Sequence, residues 1–156
     1  MSQVTSTESI GLRVQQELRA TPEEVFDALT DPEAQRSWLS PLGPDDGAVE
    51  TSVDLRVGGS WKARFRPNPE TEVDDVHTFA EIDRPHRLVT DLVSESMIGG
   101  QRMPVLESRI VMTFEPEAAG TLVTVEQTGF RATEMRDFFA NVAWPSGLAR
   151  LEAFLA

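Results

Sequence analysis

The chain contains no cysteine and no tyrosine, and only two histidines. Without cysteine there are no disulfides, thiolate zinc sites, iron–sulfur clusters or cysteine nucleophiles. Without tyrosine, one common acid/base group of enclosed pockets is missing. Positive charge is also scarce. Fourteen Lys and Arg stand against 26 Asp and Glu, giving a formal charge of −12 over 156 residues. The excess runs through both halves of the chain, so no basic face is set aside for phosphate backbones or anionic headgroups. The sequence therefore predicts no nucleic-acid partner and no membrane partner. No apolar run approaches the roughly 20 residues that span a bilayer. Met1–Ser9 lacks the basic and apolar regions of a signal peptide, and the expected location is the cytoplasm.

What is present is a globular balance of 40% hydrophobic and 26% charged residues. Residues 1–9 read as a disordered N-terminal tail, and residues 10–156 as one domain. Leu12–Ala20 alternates apolar and polar residues, the signature of a half-buried strand. Thr21-Pro22-Glu23-Glu24 is a capping box, and Asp31-Pro32-Glu33 starts a second short helix that ends near Trp38. Ser40–Gly47 reads as a loop. Six strands are expected next: Val49–Leu55, Ser60–Arg66, Val76–Asp83, Leu88–Val93, Leu106–Phe114 and Thr121–Thr128. Gly58-Gly59 suits a tight hairpin, Pro67–Glu72 a turn, and Ser94–Pro104 a longer loop. After Gly129 the period becomes helical. Met135, Phe138, Phe139 and Val142 form a stripe that Trp144, Leu148, Leu151 and Leu155 continue, with Pro145 kinking the helix or starting a new one. The predicted architecture is α+β. A curved antiparallel β-sheet wraps around a long C-terminal α-helix, with two short helices after the first strand closing one end.

Several motifs in this order resemble one family. They are Ala20 to Pro32 (A-x-P-E-x-V-F-x-A-L-T-D-P), Trp38, Asp54-x-Arg56-x-Gly58-Gly59 with Trp61, and Glu81-Ile82-Asp83 followed by Pro85 and Arg87-Leu88-Val89. Phe114-Glu115-Pro116, Gly120-Thr121 and Trp144 with Leu148, Leu151 and Leu155 complete the set. Over roughly residues 12–156 the chain resembles the activator of heat-shock protein 90 ATPase homologue-like family. That family is part of the START-like (SRPBCC) superfamily. The resemblance implies the helix-grip fold. Its function range is wide, from carriers of small hydrophobic molecules to polyketide cyclase-like enzymes and a chaperone-binding domain.

Strand parity and the resemblance together place Trp61, Phe65, Phe79, Met112, Phe114, Val125 and Gln127 on the inward face of the sheet. They place Phe138, Phe139, Val142 and Trp144 on the helix opposite. Aromatics and methionine suit an adaptable apolar cavity, and Gln127 would orient a ligand there. Gln16 and Ser108 are further inward polar groups, and the opposite parity would turn Glu126 inward instead. Glu70, Glu72, Asp74 and Asp75, with His77, lack calcium-loop spacing and read as a solvated hairpin loop rather than a metal site. No G-x-S-x-G elbow or phosphate-binding glycine loop exists. No catalytic residue, metal or cofactor is assigned. The leading expectation is non-enzymatic binding of a small hydrophobic ligand between sheet and C-terminal helix. A chaperone co-factor-like interaction module and a cyclase-like enzyme are the alternatives, and exposed edge strands leave a homodimer open.

Overall fold

A computed structural model describes residues 10–47 and 49–156. The expected tail, residues 1–9, lies outside the described residues. Strand β1 (Ile10–Leu18) leads into helices α1 (Pro22–Thr30) and α2 (Pro32–Trp38) and a helical turn α3 (Gly43–Asp46). Seven strands follow: β2 (Glu50–Val53), β3 (Ser60–Asn68), β4 (Thr71–Asp83), β5 (Arg87–Ile98), β6 (Gln101–Arg102), β7 (Leu106–Glu117) and β8 (Gly120–Phe130). The chain closes with α4 (Thr133–Phe138), a π-helical turn (Phe139–Ala143) and α5 (Trp144–Leu155). All neighbouring strands pair antiparallel, in the order β1-β8-β7-β5-β4-β3-β2, with β6 paired to the far end of β5.

The helix starts follow from their caps. Thr21 Oγ1 accepts the Glu24 N–H at 3.2 Å, and the Glu24 carboxylate accepts the Thr21 N–H at 2.9 Å. The orphan donors of the first turn are thereby satisfied reciprocally. Asp31 does the same for α2, where its Oδ1 accepts the Glu33 N–H.

Three segments are more ordered than their local composition suggests. The Pro67–Glu72 stretch is a short turn between longer strands, because Asn68 still pairs with Thr71. The Ser94–Pro104 stretch is mostly strand. Residues 94–98 of β5 stay paired with β4, and Gly99-Gly100, both at positive φ, turn the chain into β6. The Ser40–Gly47 stretch holds one helical turn, α3. In each case pairing with a neighbouring strand, or one turn of helix, overrides a loop-like composition.

The Gly58-Gly59 pair does not make a two-residue hairpin. It ends a six-residue connection, 54–59, in which Gly58 has φ +84°. A Cβ on Gly59 would lie 2.2 Å from the Asp54 carbonyl oxygen. The Gly58 N–H donates to the Phe79 carbonyl and the Phe79 N–H to the Gly59 carbonyl, which pins this turn to β4. Asp54 and Arg56 form an exposed pair at 2.8 Å beside it.

The C-terminal helical run covers the inner face of the sheet. Its packing stripe is Phe139, Trp144, Leu148, Leu151 and Leu155. The first spacing is five residues, which an α-helix would rotate off the stripe. The π turn absorbs it, with the Trp144 N–H donating to the Phe139 carbonyl five residues back. Pro145 stands in the first turn of α5, directly after the π turn, where it contributes no N–H to the helical ladder. Arg150 fastens this helix to the end of α2. It donates to the Trp38 carbonyl at 2.9 Å, the Leu39 carbonyl at 3.1 Å and Ser146 Oγ at 2.6 Å.

Replacing Gly59 with Ala forces a backbone clash, and the expected cost is about 2 kcal/mol. Thermal melting should show Tm lowered by about 6 °C. An unchanged Tm would show that the 54–59 turn can move away without loss.

Candidate functional site on the inner face of the sheet

Cross-strand register sorts the inner face into rows. Deepest are Gln16–Val123–Phe114 and Val14–Val125–Met112–Leu88–Ile82. Next come Leu12–Gln127–Ile110–Thr90–Phe79 and Ser108–Leu92–His77–Trp61–Val53. Beyond these lie Leu106–Ser94–Asp75–Ala63–Thr51 and Ser96–Val73–Phe65. The first two rows are mostly apolar. The third and fourth mix large apolar groups with an amide, hydroxyls, an indole and an imidazole, and the fifth adds a carboxyl.

Gln127 is fully buried, while Glu126 next to it is exposed. The Gln127 Oε1 accepts the Trp144 Nε1–H at 2.8 Å, which ties the start of α5 to β8, the strand beside the β1 edge. The amide's other end, Nε2, is buried without a partner. His77 is 6% exposed and stacks on Trp61, with ring centroids 4.0 Å apart and planes within 11°. Its Nδ1 lies 3.0 Å from Thr90 Oγ1. Trp61 Nε1 is buried and donates to nothing, whereas Trp38 and Trp144 both have acceptors. Asp75, half-buried overall, has its Oδ1 shut off from solvent and unpaired. A buried polar atom without a partner costs about 1–3 kcal/mol. All three lie on the inner face of the sheet, each short of a partner within the chain.

Burial moves the two titratable groups here in opposite senses. Desolvation raises the Asp75 carboxyl from 3.8 to about 6. A hydrogen bond from Ser94 opposes the shift, and the neighbouring charge of Asp74 adds to it. Desolvation lowers the His77 imidazole from 6.5 to about 3, so the ring is neutral at ordinary pH.

The acidic stretch is therefore only in part a solvated loop. Glu70 lies in the exposed turn, whereas Glu72 to His77 lie in β4 and split by parity. Glu72 and Asp74 face outward and pair with Arg66 and Arg64, while Asp75 and His77 face inward. Alternation was the available signal, because Val73, Asp75 and His77 share the parity of Phe79. Among the described residues no three His, Asp or Glu side chains converge as a metal site.

The expected ligand-contacting residues separate into three sets. Phe79, Met112, Phe114 and Val125 are buried in the core, with Phe114 edge-on to Phe26 at 5.8 Å. Trp61, Phe65, Gln127, Phe139 and Trp144 lie around the polar rows, and all but Gln127 are only half-buried. Phe138 and Val142, expected to face the sheet, are 55% and 51% exposed. The cause is the π turn, which selects Phe139 and Trp144 for the inner face. Met135, Phe138 and Val142 are left as a second, outer stripe.

The family model for "Activator of Hsp90 ATPase homolog 1-like protein" matches residues 19–156. The chain belongs to this family. Solved structures from several bacteria share its fold. A Rhizobium leguminosarum protein is 24% identical with a TM-score of 0.71, each chain being 95% covered. A Chromobacterium violaceum protein is 22% identical with a TM-score of 0.69, covering 92% of this chain and 96% of that one. CalU16 from Micromonospora echinospora is 24% identical with a TM-score of 0.62, covering 98% and 80%. These likenesses establish the helix-grip architecture. No curated protein matches the chain. No helix among the described residues is long and apolar enough to cross a membrane.

The pKa shifts set a pH dependence. Between about pH 4 and 6 the folded protein keeps a proton on Asp75 that the unfolded chain has released, so stability falls as pH rises through that window. His77 acts oppositely. Below about pH 6.5 the unfolded chain takes up a proton that the buried ring refuses until about pH 3, so stability falls as pH drops. Asp75→Asn should therefore raise Tm at pH 7.5 by about 3 °C, a gain of about 1 kcal/mol. The gain should shrink toward zero as pH approaches 4. Melting curves showing the same gain at both pH values would place the Asp75 carboxyl in contact with solvent.

Proposed function

We propose that the protein binds a small, largely apolar molecule without chemically changing it. The site is the inner sheet face beneath the C-terminal helical run. The observation that carries this reading is the set of three solvent-excluded polar atoms without partners, Trp61 Nε1, Asp75 Oδ1 and Gln127 Nε2. They stand among apolar side chains on one face. Such atoms are stabilised when a guest supplies their missing hydrogen bonds. Membership of a family with the helix-grip fold supports the same reading. A guest burying about 300 Å² of apolar surface gains about 7 kcal/mol before association costs. The expected Kd is on the order of micromolar once those costs are met.

One observation favours a second reading. Met135, Phe138 and Val142 form an exposed apolar stripe, and the family's description names an activator of the Hsp90 ATPase. In that reading the stripe contacts a chaperone, and the molecule acts as a co-factor module.

The test uses N-phenyl-1-naphthylamine, a neutral apolar dye that brightens when shielded from water. Saturable brightening is expected, and Ser94→Trp, which fills the space between Asp75 and Leu106, should weaken it by about tenfold or more. Loss of binding must come with unchanged circular dichroism. No saturable signal, together with stimulation of Hsp90 ATPase that Phe138→Ala abolishes, would replace this reading with the second.

A further inference from the structure

The ligand's chemistry follows from which atoms lack partners, and the inference rests on the binding reading above. Trp61 Nε1 can only donate a hydrogen bond, and ionised Asp75 Oδ1 can only accept one. Both are buried and unpaired. They lie on adjacent strands of the inner face, one register step apart: Trp61 pairs with His77, and Ala63 pairs with Asp75. Diagonal neighbours of this kind are within reach of an aromatic side chain. A donor and an acceptor, each short of one bond, are satisfied together by one group that accepts and donates. A hydroxyl does both. A ketone or ether serves only the indole, and an ammonium only the carboxylate.

Charge narrows the choice further. On β3, β5 and β7 the cationic residues Lys62, Arg64, Arg66, Arg87 and Arg109 alternate onto the outer face. Four of them are engaged there, with Asp74, Glu72, Glu81 and Asp91. A carboxylate brought to the inner face would meet Asp75 with no cation of these strands turned toward it, and like charges out of solvent repel strongly. We propose that the ligand is a neutral apolar molecule bearing a hydroxyl group. Its oxygen sits between the Trp61 indole N–H and the Asp75 carboxylate, and the site rejects carboxylic acids of the same shape. Gln127 Nε2 lies three strands and two rows from Asp75, and four strands and one row from Trp61, so the separation exceeds about 14 Å by ordinary strand spacing. It cannot share that oxygen, and it serves a second acceptor at the far end of longer ligands.

The test compares 1-decanol with decanoate at pH 7.5, two probes with the same chain and different heads. Binding is followed by displacement of N-phenyl-1-naphthylamine and by the indole N–H signals in a proton–nitrogen correlation spectrum. Trp61 is the tryptophan whose Nε1 lacks an acceptor, since Trp38 bonds Ala28 and Trp144 bonds Gln127. Decanol should bind at least about tenfold more tightly than decanoate and move the Trp61 indole proton downfield. Asp75→Asn keeps the shape and removes the charge, so the preference for decanol over decanoate should shrink by about tenfold. Equal binding of the two probes overturns the proposal and leaves the binding reading intact. Discrimination without movement of the Trp61 signal also overturns it. So does a Trp61 proton already downfield in the free protein and unmoved by decanol, which would mean that a water serves the pair. Failure of the dye and both probes to bind overturns the binding reading as well.

Discussion

The inner face of the sheet must be hidden from water, and the C-terminal helical run shares that task with α1 and α2. This constraint organises the rest of the molecule. The run is held by polar contacts along its length. Trp144 is anchored to Gln127 on β8, and Arg150 grips the last carbonyls of α2. The early helices thus have a clear part in the structure. They present Val25, Phe26 and Leu29 to the core and offer the last turn of α2 as a docking point for α5. At the other end Arg136 donates to the Gly11 carbonyl and fixes α4 against β1.

The same cover explains the chemistry of the inner face. A sheet that alternates strictly puts every second residue inside, polar or not. On β8 and β7 that parity delivers Val123, Val125, Ile110, Met112 and Phe114, and the result is an apolar core. On β3 and β4 it delivers Trp61, Asp75 and His77. Neutral His77 has its place through stacking on Trp61 and its contact with Thr90. Asp75 has only the hydrogen bond from Ser94 to offset burial, which works directly against its charge.

Much of the architecture is legible in the sequence because its signals are local. The capping box at Thr21 and the alternation of Leu106–Phe114 each specify their element without help from distant residues. The chemistry is less legible. Whether Asp75 is solvated or enclosed depends on pairing with β3 and β5, which turns an acidic stretch into a strand with two faces. Of the four residues expected inward on the last helix, Phe139 and Trp144 face the sheet while Phe138 and Val142 do not, for a geometric reason. A five-residue step from Phe139 to Trp144 looks like a break in an α-helical stripe, and only a π turn makes it continuous. Phe138 and Val142 satisfy the α-helical period and yet face outward.

The π turn also bears on how the site could open. A π turn carries weaker hydrogen bonding than regular helix, and its strain is tolerated where a particular side chain must be aimed. Here the side chains aimed inward are Phe139 and Trp144, and Trp144 uses its indole on Gln127 Oε1. That bond leaves the Gln127 Nε2 hydrogens without an acceptor, so the lid is fastened by half of an amide whose other half is unsatisfied. A guest accepting from Nε2 would complete the amide without breaking its bond to the lid. Ligand and cover would then reinforce one another, because both draw on one side chain held in one orientation. The coupling follows from the two ends of Gln127 alone and needs no large movement of the sheet or of α5.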